Sequence, residues 1–348
     1  MSIAFISSDF LVSNNVLIPG GCGYYRCALP MTVTGIRGHL GRMAWDPTRG
    51  FGIRDSERTG LFGFERVMLK LIMDRWTPKQ IELAKDIGQK IYVDVDDYHK
   101  GLTPANAAYH QTSPEANKRS NWNNYEKVIE AANYVTVSTP FLYDYYSQKR
   151  DNVFLIRNGI NTRQFTPRKH QRRKPVIGWA GSTNYRNNDL EEVAGWLPKF
   201  MEKHDLMFHH AGHSDDAPPI ADVIGIDPRR VTTSPLVPIN RYAEGFKFDI
   251  GIVPLSDIDF NKAKSNIKGL EYAAAGIPFV ASDLPEYRLL AEDGVGFLAN
   301  SLETWEQQMT VLLDYDQRAK YARLARNVTL QRWSVEAMAD EWRTVFSL

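Results

Sequence analysis

The sequence of 348 residues predicts an α/β protein made of two doubly wound parallel-sheet units followed by terminal helices. Three observations carry that expectation. Short β-branched runs alternate with helix-period segments along most of the chain, as in parallel sheets whose crossovers are helices. The alternation stops at the proline-bracketed basic run TPRKHQRRKP, residues 166–175, and then starts again. The length also suits about two domains of roughly 150–200 residues.

The first unit is expected over 1–165, a linker over 166–175, and a second unit over 176–331, with 332–348 completing the first. Ile3 to Ile6 is a short apolar run closed by Ser7, Ser8 and Asp9, and PGGCGYYRCALP follows, so the start reads as strand, glycine loop, helix. Leu69 to Met73 reads as a short buried strand or helical segment. IELAKDIGQ then reads as helix, KIYVDVDD as strand, NNYEKVIEAAN as helix, YVTVST as strand, PFLYDYYSQ as helix, and NVFLIRNG as strand ending in a turn. Residues 46–64 and 99–121 read as loops that set specificity. The run 166–175 has no apolar periodicity and reads as a solvated linker.

Beyond the linker, PVIGWAGS reads as strand and DLEEVAGWLPKFMEKH as one helix with Leu190, Val193, Ala194, Leu197 and Met201 on its apolar face. LMFHHAG, RVTTSPLV, FDIGIVPL and PFVAS read as further strands, with KSNIKGLEYAAAG a helix between the last two. Gly276 ends that helix, and Pro278 precedes the next strand. The last 45 or so residues read as helices, with Ser301 and Ser334 as caps.

Composition narrows the function classes. The formal charge is only +1, so no global field points to nucleic acid or an anionic membrane as the main partner. Cys22 and Cys27 are the only cysteines, too few for a disulfide framework and wrongly spaced for structural zinc, and they read as free thiols. No basic leader with a long apolar run and no stretch of about 18 apolar residues occurs, so a soluble, cytoplasmic protein is expected.

Ligands of open parallel sheets bind beyond the carboxyl ends of the strands, so chemistry is expected in the strand-to-helix loops. In PGGCGYYRCALP, Gly20, Gly21 and Gly23 either bring backbone N–H groups close to a ligand or serve a tight turn with positive φ. The pattern is neither G-x-G-x-x-G nor a P-loop, which weakens simple dinucleotide and ATP readings. Arg26 would add a phosphate-seeking charge. In IYVDVDDYHKG, Asp94, Asp96 and Asp97 crowd a strand and its carboxyl end, where unpartnered carboxylates are costly to bury. That points to a functional mouth of the sheet. Asp94-Val95-Asp96 also matches the short acidic signature of metal-dependent sugar transferases, but so brief a pattern arises by chance and no metal site is assigned.

The third loop opens the helix in FNKAKSNIKGLEYAAAG. A helix amino terminus presents unsatisfied N–H groups and a partial positive charge. Ser265 and Asn266 would cap it or donate directly, and Lys264 and Lys268, four apart, would flank the same anion. A bound diphosphate removes the conflict between these cations and the helix dipole. Glu271, further along, would accept hydrogen bonds from ribose hydroxyls or else pair with Lys268. His209, His210 and His213 form HHxxH, but adjacent strand residues face opposite ways, so a structural role is expected. No G-x-S-x-G elbow or cysteine–histidine signature favours nucleophilic hydrolysis.

These residues resemble the retaining nucleotide-sugar glycosyltransferases of the GT-B fold, the group 1 or family 4-like enzymes, over nearly the whole chain. VFLIRNGIN is similar to the family's strand and Asn-Gly turn before the interdomain linker, and VIGWAGS to its first donor-domain strand. FDIGIVPL followed by GLEYAAAGIPFVASDLPEYRLL is similar to the donor-site signature, and RWSVEAMADEWRTVF to the terminal segment that crosses back onto the first domain. The resemblance implies two doubly wound Rossmann-like domains facing a central cleft, with C-terminal helices. It implies that Ser265, Asn266 and Ile267 receive the diphosphate and Glu271 the ribose, with Gly21 and Gly23 approaching from across the cleft. Ser182 and Arg186 stand near the basic positions after the first donor-domain strand. Asp96 and Asp97 fall where many relatives carry a His-Asp pair near the reacting carbon, with His99 close by. Ala263 stands where many members carry the first of two glutamates eight positions apart.

The expected function is transfer of a sugar from a nucleotide-diphosphate sugar to a glycan, protein or other hydroxyl acceptor, with retained configuration. Lys264, Lys268 and Arg186 would stabilise the departing diphosphate, and Asp96 would orient hydroxyls, with no cofactor and no required metal. The alternatives are a nucleotide-sugar epimerase on the same fold and a non-catalytic carbohydrate-binding relative.

Overall fold

The computed structural model describes residues 2–13, 16–54, 60–171, 173–184 and 187–348. Ten strands occupy the first half: β1 (Ser2–Ser7), β2 (Phe10–Ser13), β3 (Val16–Pro19), β4 (Arg37–Asp46), β5 (Gly50–Arg54), β6 (Gly60–Leu61), β7 (Arg66–Lys70), β8 (Lys90–Val95), β9 (Tyr134–Val137) and β10 (Val153–Leu155). Eight of them form one sheet in the order β10-β9-β8-β7-β1-β4-β5-β6, and β2 and β3 form a separate hairpin. Pairing is parallel from β10 to β4 and antiparallel from β4 to β6. β1 lies between β7 and β4, with Ile6 opposite Leu69 on one side and Gly41 on the other. Ile3 to Ile6 are all buried, as a strand covered on both faces requires.

The second half carries β11 (Val176–Ala180), β12 (Met207–His213), β13 (Val231–Pro235), β14 (Ile250–Val253), β15 (Phe279–Ser282) and β16 (Phe297–Ala299). They form an all-parallel sheet in the order β13-β12-β11-β14-β15-β16. The order reverses between β11 and β14, the switch point at which doubly wound sheets open a crevice. The two sheets and their helices make the predicted pair of doubly wound α/β units.

The last helix, Ala339–Ser347, returns to the first unit. Its Phe346 ring meets Phe5 and Tyr92 edge-on, each at 5.6 Å between centroids, and Trp342 is 1% exposed. Arg343 anchors it by donating to the carbonyls of Val33 and Thr34 at 2.8 and 3.1 Å. The backbone is tied in as well: Ile160 N–H donates to Trp333 O and Val335 N–H to Ile160 O, both at 2.9 Å.

Several local expectations differ from what forms. β4 was not foreseen, because RGHLGRMAWD is polar and half-buried; Gly38 is required there, since a Cβ would stand 2.8 Å from both Met31 and Phe5 side-chain carbons. Part of 46–64 is sheet rather than loop, as β5 and β6 extend β4. The expected helix over DLEEVAGWLPKFMEKH is two, Glu191–Ala194 and Leu197–His204, because Pro198 has no N–H to continue the ladder. Leu190, Val193, Leu197 and Met201 nonetheless keep a common buried face. The basic run is strapped to the second unit and not merely solvated. Arg168 Nε donates to buried Asp249 at 2.8 Å, Arg168 N–H donates to Ala275 O at 2.8 Å, and a ring nitrogen of His170 bonds Gly276 O at 2.8 Å. Ser301 forms a full capping box with Thr304, whereas Ser334 caps only the 3-10 turn Val335–Met338. Among the described residues no helix is long and apolar enough to cross a membrane.

Candidate functional site

A cleft of about 300 Å³ collects the ends of both sheets. The first unit contributes Gly21, Cys22 and Tyr25 from the segment after the hairpin, Asp96 and Asp97 after β8, and Asn158 after β10. The second contributes Gly181 after β11, Val253 and Leu255 at the end of β14, and Lys264, Ser265, Ile267, Lys268 and Glu271 around one helix. Ile239, Tyr242 and Tyr287 complete the wall. Nearly every contribution follows the carboxyl end of a parallel strand, where the fold leaves backbone groups and loops free for ligands.

The cationic helix of the second unit is Ile267–Ala274, entered from a short helix Asp259–Lys262 through Ala263, Lys264, Ser265 and Asn266. Lys264 therefore precedes the helix, and its convergence with Lys268 comes from the turn and not from a shared helical face. Asn266 occupies the N-cap position without a side-chain cap bond; its Nδ2 donates to Glu286 O at 3.1 Å, and the residue is buried. Among the described residues Asn266 therefore does not cap the amino terminus of this helix. Glu271 is 4% exposed, and Tyr25 Oη–H donates to its Oε1 at 2.7 Å from the other unit. Burial pushes the Glu271 carboxyl up, against the pull of Lys268 and Tyr25.

The acidic mouth is organised differently. Asp94 is fully buried and paired with Arg26 at 2.7 Å and Lys70 at 3.4 Å, and it accepts from Thr136 Oγ1 at 2.6 Å. Lys70 also pairs with Asp96. Asp96 and Asp97 face the cleft and are driven apart electrostatically. Burial raises both, but the Lys70 charge holds Asp96 below the usual carboxylate value, while burial and then the Asp96 charge push Asp97 above it. Adjacent carboxyls with opposed shifts suit one constant acceptor and one group able to hold a proton.

The other expected site residues among those described do not line the cleft. Arg26 is 0% exposed and spends its guanidinium on Asp94, Ile156 O and Asn158, so it is a structural cation and not a phosphate ligand. Gly23 is buried and its N–H donates to Asp9 Oδ2 at 3.0 Å, which removes that donor from any ligand. Gly20 and Gly23 have φ of −70° and −62°, so neither serves a positive-φ turn. Glycine is needed at Gly20 because a Cβ would collide with the Asp9 carboxylate, and Gly21 opens onto the cleft. Ser182 Oγ accepts from Asn184 N–H at 3.3 Å, and Gly181, with φ of 146°, takes its place at the wall. His99 packs edge-on to Tyr125 at 6.0 Å, and burial lowers its pKa, leaving it neutral. Arg186 lies outside the described residues. His209 contacts Thr232, Ser234 and Gly245 O, burial holding it down to about 4, while His210 faces the other way onto Gly181 O.

Cys22 and Cys27 are free thiols. Cys22 Sγ and one oxygen each of Asp96 and Asp97 lie within 4.8 Å of one another, the grouping best placed for a cation among the described residues. Burial and the two carboxylates push the Cys22 thiol well up, so it keeps its proton and is a poor thiolate ligand. Sequence reading missed Tyr25, Asn158, Ile239, Tyr242 and Tyr287. Tyr25 and Asn158 sit inside quoted motifs and were within reach; Ile239 and Tyr242 come from the 3-10 segment Ile239–Gly245, which carries no periodic signal.

No protein-family model matches the sequence, and no curated protein matches it. Solved structures do. Sucrose-phosphate synthase from Thermosynechococcus elongatus superposes with TM-score 0.64 at 13% identity, over 100% of this chain and 98% of that one. Anabaena HepE in complex with UDP-glucose superposes with TM-score 0.62 at 15% identity, over 100% of both chains. TarM matches with TM-score 0.60 at 14% identity over 86% of this chain, which spans only 62% of TarM. At such identities the shared property is the fold. The two facing sheets and their connections are the GT-B fold.

Proposed function

We propose that this GT-B chain is a glycosyltransferase that moves a sugar from a nucleotide-diphosphate sugar to an acceptor hydroxyl with retained configuration. One observation carries the reading: a cationic helix start and a buried, hydrogen-bonded carboxylate share one cleft. Lys264, Ser265, Lys268 and the amino terminus of Ile267–Ala274 suit a diphosphate. Glu271 follows about 6 Å along the helix axis, a span that a ribose and its 5′-phosphate can bridge. HepE of the same fold has been solved with UDP-glucose, with UDP, and with UDP and glucose, and S. aureus TarM with UDP and alpha-GlcNAc-glycerol.

The chemistry then rests on electrostatic preorganisation. Lys264, Lys268, Ser265 and the helix N–H groups stabilise charge that develops on the leaving diphosphate. A phosphate oxygen accepts the proton of an acceptor hydroxyl attacking from the same face, so no enzyme nucleophile is required. Asp96 orients hydroxyls as a constant acceptor, and Asp97, raised by burial and the Asp96 charge, would hold a proton and donate it to a substrate hydroxyl oxygen. The lysines supply the positive charge that a metal supplies elsewhere, so metal independence belongs to the proposal. Ala263 brings no carboxylate to the sugar side. It is buried, and its carbonyl accepts from Thr139 Oγ1 at 2.9 Å, joining the two units. The unit boundaries of 1–165 and 176–331, with 332–348 returning to the first, and a cytoplasmic setting complete the proposal.

The test is product analysis with a panel of UDP-, GDP- and ADP-sugars, with and without sugar acceptors and with and without EDTA. Transfer that needs an acceptor and survives chelation supports the reading. Conversion of the donor alone points to an epimerase, nucleotide binding without turnover to a carbohydrate-binding protein, and loss of activity in EDTA overturns metal independence.

A further inference from the structure

The buried arginine behind the cleft constrains a hydroxyl in front of it. Arg26 carries only donors. Its Nε and Nη2 donate to Asp94 at 3.1 and 2.7 Å, and its Nη1 donates to Ile156 O at 2.7 Å and to Asn158 Oδ1 at 3.0 Å. The last contact decides the orientation of a carboxamide whose two ends are otherwise interchangeable in shape. The oxygen must face Arg26, so the amide nitrogen must face away. Asn158 Nδ2 accordingly donates to Ser265 Oγ at 2.8 Å. A hydroxyl that accepts on one side keeps its proton for donation on another. Ser265 lines the cleft directly ahead of the helix Ile267–Ala274.

We propose that Arg26 and Asn158 form a polarity relay that commits the Ser265 hydroxyl to donate into the cleft, toward a phosphate oxygen. The inference rests on the cleft being a diphosphate site. Asn158 is then a positioning residue, which acts on the ligand through Ser265. The relay crosses between the units, since Arg26 and Asn158 belong to the first and Ser265 to the second. The donor polarity of the anion site is therefore complete only when the two units are docked.

Asn158→Asp breaks the polarity while keeping the shape. Its new oxygen demands the Ser265 proton, withdrawing it from the ligand. Calorimetric titration with UDP, GDP and ADP, using whichever binds the wild type most tightly, is run on the wild type, S265A, N158D and the double variant. S265A is expected to weaken binding about tenfold in the wild-type background and by less than about twofold in N158D, where the hydroxyl is already diverted. The comparison within N158D cancels the effect of its added charge. Equal losses from S265A in both backgrounds overturn the relay alone. Absence of binding by the wild type overturns the diphosphate site and the relay together. Should N158D fail to fold, Asn158→Leu carries the test: with the hydroxyl no longer committed, affinity should fall about threefold, less than in S265A, and either an unchanged affinity or a loss as large as that of S265A overturns the inference.

Discussion

The two walls of the cleft use charge in opposite ways. On the second unit's side Lys264 and Lys268 stand at the cleft, at the amino terminus of a helix whose dipole adds to their positive field. On the other side the cations Arg26 and Lys70 are both 0% exposed and lie behind the carboxylates they neutralise. Both regions occupy carboxyl ends of parallel strands, and both are dense in charged residues. Only one brings its cations to the lining of the cleft. What separates them is whether a basic residue meets a fixed carboxylate before it meets solvent, and the burial of Asp94 decides that for Arg26.

That contrast can be broken by mutation. The largest effect is expected from Lys70→Met, which leaves Asp94 and Asp96 with less countercharge in a buried setting. Unfolding in urea should show a loss of about 3–5 kcal/mol; a loss below about 1 kcal/mol would mean that the pair behaves like a surface contact. On the opposite wall Lys268 Nζ donates to Ala180 O, and Lys268→Ala should weaken nucleoside-diphosphate binding about tenfold or more, with a smaller loss of stability than Lys70→Met. A binding curve superposable on the wild type would remove Lys268 from the anion site.

Glu271 sharpens the comparison, because it is the donor-side group whose environment works against its charge. Its pKa in the folded chain is raised by burial above the ordinary 4.5. The folded state therefore holds the proton more tightly than the unfolded one, and the stability this contributes is full below pH 4.5 and is lost as pH rises through the folded value. Glu271→Gln should remove that loss. The apo variant should gain stability relative to wild type as pH climbs from about 4.5 toward neutrality, while its affinity for a nucleoside diphosphate falls about tenfold. A stability difference that stays flat with pH would contradict the assignment. The smallest effect is expected from Asp97→Asn. Since burial and Asp96 raise the Asp97 pKa, the variant should alter the acidic side of a kcat profile and leave nucleoside-diphosphate affinity within about twofold.

The doubly wound architecture was legible where strands are continuously apolar and helices periodic, as in IAFI and NNYEKVIEAAN. It was not legible in β4, because a strand covered unevenly carries glycines and charges in place of an alternating pattern. The donor-side helix was legible because its cations, serine and carboxylate are neighbours in sequence. The cross-cleft groups were not: Tyr25 reaches Glu271 across 246 positions, and Asn158 reaches Ser265 across 107. Arg26 misled for the converse reason. Its charge suggested a ligand, and its true partner, Asp94, lies 68 positions away.

The return of Ala339–Ser347 onto the first sheet sets an order of events during synthesis. Phe5 and Tyr92 leave the ribosome before the second unit, but the helix that covers them through Trp342 and Phe346 is made only after it. One face of the amino-terminal sheet must therefore wait, apolar and uncovered, while the second unit is translated. Arg26, whose guanidinium lies 4.8 Å from the Trp342 ring, waits with it. The nascent chain is then most exposed to aggregation when the second unit has emerged and the cover of the first has not.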